Sequence, residues 1–275
     1  MKILVIEKNE GVADGIVKKL QEMGHEATWR SSKSVAIQLF ESEKFDCVVL
    51  DPAPLSAPRP IVLDIRRYVG NYPYFLLMSD DLGALDQSEM SGVHDTMVKP
   101  IDPYVLEEKI ANAARYNELL ARMEDVSVDF PSAGGIISKS AFGQLFLSSV
   151  DRSDRYEEQT YFLFVAIKNY QEILEMDGAY AAEYSAAQLA QTLVKIRRQS
   201  DIVGQTAKNE FSVLMRGSDN KREPLDAANR FAQALLDSHM INESNIGPVE
   251  VSLTLLGIPK CMKMAEHSVV FERLG

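Results

Sequence analysis

The first 120 residues alternate short apolar runs with amphipathic stretches, and that alternation leaves few folds open. The runs are KILVI, EATW, DCVVLD, YFLLMS and DTMVK, and helical patterns begin near Glu10, Lys33, Pro60, Leu82 and Pro103. Near-continuous apolar runs suit strands covered on both faces, so the pattern predicts a doubly wound parallel sheet of the α/β class. Ligands of such sheets collect at the carboxyl ends of the strands. Those ends carry Glu7, Asp51, Ser79 and Lys99, a polar cluster where chemistry is expected.

The last helical pattern runs from Pro103 to about Met123, with Leu106, Ile110, Ala113, Tyr116, Leu120 and Met123 at spacings of three and four. Its first half reads as a helix packed on its own sheet. Its second half reads as an extension able to pair with a second copy, so a homodimer is expected. Proline and glycines in EDVSVDFPSAGG then mark a boundary. From Ile136 the order changes: a helix, the strand TYFLFVAI, one long helix from about Asn169 to Ser200, and the hairpin DIVGQTAKNEFSVLM. A helix PLDAANRFAQALLDS and the strand VEVSLTLLGI follow. That order predicts an α+β domain with helices packed on a sheet. The reading divides the chain into 1–120, a helical extension and linker 121–132, and 133–275.

Net charge is −11, which leaves no basic footprint and argues against DNA as a partner. Cys47 and Cys261 are far apart, and the histidines show no ligand spacing, so neither a disulfide framework nor a zinc site is suggested. No apolar stretch approaches membrane-spanning length, and the first apolar run is too short for a signal peptide. A cytoplasmic protein without membrane insertion is expected.

KILVIEKNE, DCVVLDPAP, LLMSDD and TMVKP together resemble the response-regulator receiver family, a (βα)5 flavodoxin-like fold. The resemblance implies that Asp51 is the phospho-acceptor, that Ser79 hydrogen-bonds the phosphoryl group and that Lys99 pairs with it. It also implies a sensor histidine kinase or phosphotransfer protein as donor. Such a carboxylate nucleophile needs a divalent cation to gather phosphate oxygens. The family has two adjacent acids after the first strand; here they are Glu7 and Lys8. An ammonium in place of a hard oxygen ligand leaves Glu7 and Asp51 as weak magnesium candidates. Two arrangements are open: Lys8 pairs with Asp51 and locks the pocket, or Lys8 points to solvent and Glu7 supports a weaker site. Impaired phosphorylation is favoured.

The second region, with SAF on its first helix and NEF on its hairpin, is similar to the GGDEF diguanylate cyclase family, a nucleotidyl-cyclase-like α+β fold. The family's closing helix looks cut short in PKCMKMAEHSVVFERLG. Residue by residue, the resemblance places Ala166 and Asn209 where the metal acids belong. Ala207 and Lys208 stand at the hairpin glycines, and Leu174 and Glu183 where guanine is read. Glu210 alone survives in the signature. Joining two GTP molecules requires divalent cations, so no catalytic residue is assigned, no cofactor is required, and a degenerate pseudoenzyme is expected.

The resemblance also carries a product-binding inhibitory site, an RxxD motif six residues before the first hairpin glycine. Arg198 and Asp201 stand in that register, and Arg230 matches a second arginine. A guanidinium fork can donate to guanine's acceptor edge while a carboxylate accepts from its amide and amine. The expected ligand is therefore cyclic di-GMP. The alternative is a nucleotide-independent scaffold that docks other signalling proteins, with Arg198 and Asp201 as a surface pair of little energetic weight.

Overall fold

A computed structural model of the chain describes residues 1–53, 58–68, 73–80, 92–125, 127–156, 158–217, 222–238 and 248–271. The chain divides into two compact units. One comprises Met1–Leu120 with Asp151–Glu158 and Pro259–Cys261; the other comprises Ala121–Val150, Gln159–Ile258 and Met262–Gly275.

In the first unit, β1 (Lys2–Ile6), β2 (Glu26–Arg30), β3 (Cys47–Leu50), β4 (Tyr74–Ser79) and β5 (Asp95–Val98) form a five-stranded sheet in the order β2-β1-β3-β4-β5. Every neighbouring pair is parallel. This is the flavodoxin-like order, with its switch point between β1 and β3. All residues of β3 and β4 are buried, as their uninterrupted apolar composition demands. The helices are α1 (Glu10–Glu22), α2 (Lys33–Leu39), α3 (Arg59–Tyr68) and α4 (Pro103–Glu124). Asn9 caps α1 by accepting from the Val12 amide, and Gly24 follows its end at φ 82°, the left-handed geometry glycine adopts without strain. The helix expected near Leu82 lies outside the described residues.

Helix α4 is continuous, and all the stripe positions from Leu106 to Met123 are buried. Leu120 and Met123 are covered within a single chain. Their apolar surface is already removed from water, so these two residues need no second copy to cover them.

The second unit holds α5 (Lys139–Tyr156), β6 (Thr160–Ile167), α6 (Tyr170–Met176), α7 (Ala179–Ile196), β7 (Ile202–Ala207), β8 (Glu210–Arg216), α8 (Glu223–Asp237), β9 (Val249–Ile258) and β10 (Met262–Phe271). Its sheet runs β10-β9-β6-β8-β7, antiparallel throughout. Central β6 serves two layers because strand side chains alternate. Leu163, Val165 and Ile167 join the core beneath α7 and α8, while Phe162 meets Phe142 and Phe146 of α5. Burying one such aromatic side chain stabilises by about 1.5–3 kcal/mol. Gly204 lets β7 approach α5, since a Cβ there would lie 2.5 Å from the Phe142 ring.

Two expectations are corrected here. The single helix over 169–200 is two, separated at Gly178, whose φ of 88° no helix accommodates. The apparent remnant of a closing helix is the edge strand β10, paired with β9 from Met262 to Phe271.

Candidate functional site

In the first unit the carboxyl ends of β1, β3 and β4 bring Glu7, Asp51 and Ser79 together, and Lys99 reaches them from just beyond β5. The Lys99 ammonium donates to Asp51 Oδ2 at 2.6 Å and to Glu7 Oε2. The remaining carboxylate oxygens are also taken: Glu7 Oε1 accepts from the Asn9 amide and Asp51 Oδ1 from the Ala53 amide, each at 2.8 Å. Glu7 is only 3% exposed. Burial pulls the Lys99 pKa down, but its bonds to Asp51 and Glu7 outweigh this and hold it above the usual lysine value. Buried Ser79 accepts the Lys99 amide on its carbonyl at 2.9 Å. Trp29 donates its indole N–H to the Glu7 carbonyl at 2.8 Å.

Lys8 is exposed and makes no ion pair among the described residues. The arrangement in which Lys8 locks Asp51 is thus corrected: Lys99 already bonds both acids, and Lys8 points to solvent. A lysine that sequence reading missed stands close by. Lys33, at the start of α2, donates to the carbonyls of Pro52 and Ala53, the latter at 2.8 Å. Burial lowers its pKa, the Asp51 charge raises it, and Lys8 lowers it further. No spacing rule announces Lys33, because it reaches the residues after Asp51 from another strand connection.

In the second unit the β7–β8 hairpin places Ala166 of β6 directly opposite Glu210 of β8. Asn209 donates its side-chain amide to the Ile167 carbonyl at 2.9 Å. Glu210 accepts from Arg122 of α4 at 3.1 and 3.2 Å, in a bidentate pair, and from the Thr206 hydroxyl at 2.5 Å. The Arg122 guanidinium also lies 5.1 Å from the Phe164 ring centre. Arg122 was missed from sequence because its charge looks like any solvated position near a helix end. The one hairpin carboxylate is committed to Arg122, and Ala166 and Asn209 offer none. These residues do not fit a divalent cation. Leu174 packs against the core, and with Glu183 it lines a cleft of about 640 Å³ bounded also by Phe130, Tyr170, Ala186 and Gln205.

Arg198 and Asp201 sit on the turn that joins α7 to β7. Asp201 is 5% exposed and closes the turn: its Oδ2 accepts from the Arg198 amide at 3.0 Å and its Oδ1 from the Ser200 hydroxyl at 3.3 Å. Arg198 sends its guanidinium to Glu223 of α8 at 2.5 Å, an exposed pair. The two side chains are thus neighbours without being bonded to each other by their charged ends. Arg230 lies seven residues beyond Glu223 on α8, hence on the same face about 10 Å along. It is half-buried, and its Nη2 is buried with no hydrogen-bond partner among the described residues. Such a group costs about 1–3 kcal/mol left unpaired, more when charged.

Residues 132–258 match the family model "Diguanylate cyclase, GGDEF domain". No curated protein matches the chain. Several solved receiver structures match the N-terminal region. A two-component response regulator from Clostridium difficile is 20% identical, covering 42% of this chain and 96% of that one, with a TM-score of 0.38. A response regulator receiver domain protein from Clostridium thermocellum is 23% identical, with 43% and 98% covered and a TM-score of 0.39. The chemotaxis protein CheY4 of Vibrio cholerae is 17% identical, with 41% and 97% covered and a TM-score of 0.37. No described helix is long and apolar enough to cross a membrane.

Proposed function

We propose that this chain, a receiver-type unit joined to a GGDEF domain, is a two-component-type signalling protein that makes no nucleotide product and instead receives cyclic di-GMP at Arg198, Asp201 and Arg230. The observation that carries the reading is the selective pattern in the second unit. The groups needed for metal are an alanine, an asparagine and a glutamate held by Arg122. The RxxD residues stand on the turn before β7, Arg198 reaches Glu223 of α8, and Arg230 lies about 10 Å farther along the same face of that helix, its buried Nη2 without a partner among the described residues.

The chemistry is guanine recognition. Among the described residues the Arg198 guanidinium is held by a half-exposed ion pair to Glu223, of the kind worth about 0–1 kcal/mol, so exchanging Glu223 for a guanine edge costs little. Arg230 gains a partner for a nitrogen that lacks one. Asp201 keeps its place through the turn and offers remaining carboxylate lone pairs to guanine N–H groups. Calorimetric titration of the full chain with cyclic di-GMP tests this. We expect saturable binding that Arg198→Ala weakens by about tenfold or more, the size of one lost charge-assisted bidentate contact. No heat in the wild type, or an affinity unmoved by Arg198→Ala, contradicts the reading. The same protein incubated with GTP and magnesium is expected to form no cyclic di-GMP.

One observation favours a second reading, a nucleotide-independent scaffold for other signalling proteins. The Asp201 carboxylate is almost fully buried and already satisfied by Arg198 N–H and Ser200. Under that reading the oligomeric state measured by light scattering is the same with and without cyclic di-GMP.

A further inference from the structure

The pocket at the carboxyl end of the parallel sheet contains the oxygens a hard divalent cation would seek: two carboxylates, on Glu7 and Asp51, and the carbonyls of Pro52 and Ala53. Magnesium needs near-octahedral oxygen coordination and gives up its water reluctantly. Here each carboxylate oxygen already accepts a hydrogen bond from Lys99, the Asn9 amide or the Ala53 amide. The two carbonyls accept from the Lys33 ammonium. Lys99 bonds both Glu7 and Asp51, and the charges of Asp51 and Lys8 both act on Lys33. Among the described residues, no group of three or more His, Cys, Asp or Glu could hold a metal ion. The residues do not fit the magnesium ion that the receiver resemblance implies.

We propose that the chain carries its own cation in this pocket: Lys33 takes the divalent ion's place, and the first unit is set in one state without metal. An ammonium is a compact charge with three donors, suited to gathering neighbouring carbonyl oxygens. Held between Pro52 and Ala53, it fixes the backbone that follows Asp51. A further cation entering there meets the Lys33 ammonium already seated on the Pro52 and Ala53 carbonyls. Metal-dependent phosphoryl transfer to Asp51 therefore does not occur at this site. The inference is independent of cyclic di-GMP binding, which concerns the other unit.

The protein contains a single tryptophan, Trp29, and its indole is bonded to the Glu7 carbonyl. Trp29 fluorescence is thus a built-in reporter for paramagnetic quenching by Mn2+. For the full wild-type chain we expect no saturable quenching at millimolar Mn2+. Lys33→Met is expected to bind Mn2+ at least tenfold more tightly, with saturable quenching that a second substitution, Asp51→Asn, removes. Lys33→Arg should behave as wild type. Circular dichroism melts establish that each variant is folded. Saturable quenching of the wild type that Asp51→Asn abolishes overturns the proposal, as does a folded Lys33→Met that remains as refractory as the wild type. The wild-type titration decides the matter even if a variant fails to fold.

Discussion

The carboxyl edge of the parallel sheet and the β7–β8 hairpin both lack an open set of acidic ligands, in different ways. At the sheet edge the acids Glu7 and Asp51 are present and both bonded to Lys99, with Lys33 on the neighbouring carbonyls. At the hairpin Ala166 and Asn209 offer no carboxylate, and Glu210 is tied to Arg122. Neutralising a site leaves charge inside the protein and makes its lysines structural. At the hairpin only Glu210 is acidic, and its charge is already paired with Arg122. The first unit should therefore be the more sensitive to losing a cation.

The largest expected effect is at Lys99. Lys99→Ala removes the ammonium bonded to both Glu7 and Asp51, and Glu7 is nearly inaccessible to water. Breaking such a buried pair should destabilise the first unit by about 3–5 kcal/mol. The shift in urea midpoint, followed at Trp29, measures it; adding Asp51→Asn should recover part of the loss. A shift below that of Arg122→Ala would break the comparison.

Arg122→Ala should cost the second unit less, about 2 kcal/mol, because Glu210 keeps its Thr206 bond and lies nearer to solvent. Hydrogen exchange at the β7–β8 amides is the appropriate readout. An equal or greater cost here than at Lys99 would mean that the hairpin, too, stores uncompensated charge.

A smaller effect comes from His94, which is fully buried in the first unit, stacked on Tyr74 and edge-on to Tyr116. Burial, helped by the Arg66 charge, holds its pKa well below the usual histidine value. The unfolded chain therefore takes up the proton first. The contribution is fully present above pH 6.5 and is lost as pH falls below it, at about 1.4 kcal/mol per pH unit. Urea midpoints of the wild type between pH 6.5 and 5.5 should fall, and His94→Phe should flatten the slope.

Much of this was readable from sequence. Unbroken apolar runs such as YFLLMS could only be strands covered on both faces, so the residues at their ends, Glu7, Asp51, Ser79 and Lys99, had to converge. The stripe from Leu106 to Met123 marked a long buried helix for the same reason, although not what covered its second half. What sequence did not disclose depends on contacts between distant segments or on weak patterns. Arg122 and Glu210 are 88 residues apart, and Lys33 reaches Ala53 across 20. Edge strand β10 has a mixed burial pattern, because one side of an edge faces water, and it reads like a tail. The break at Gly178 hid inside a run that otherwise favours helix. The RxxD register was legible; that Asp201 turns inward to close its own turn was not.

Counting bound Mn2+ by electron paramagnetic resonance on the full wild-type chain, without nucleotide, tests both halves of the comparison at once. The account predicts that all the manganese stays free at millimolar concentration. One saturable equivalent lost with Asp51→Asn would contradict the lysine-filled sheet edge, and one lost with Glu210→Gln would contradict a hairpin without metal ligands.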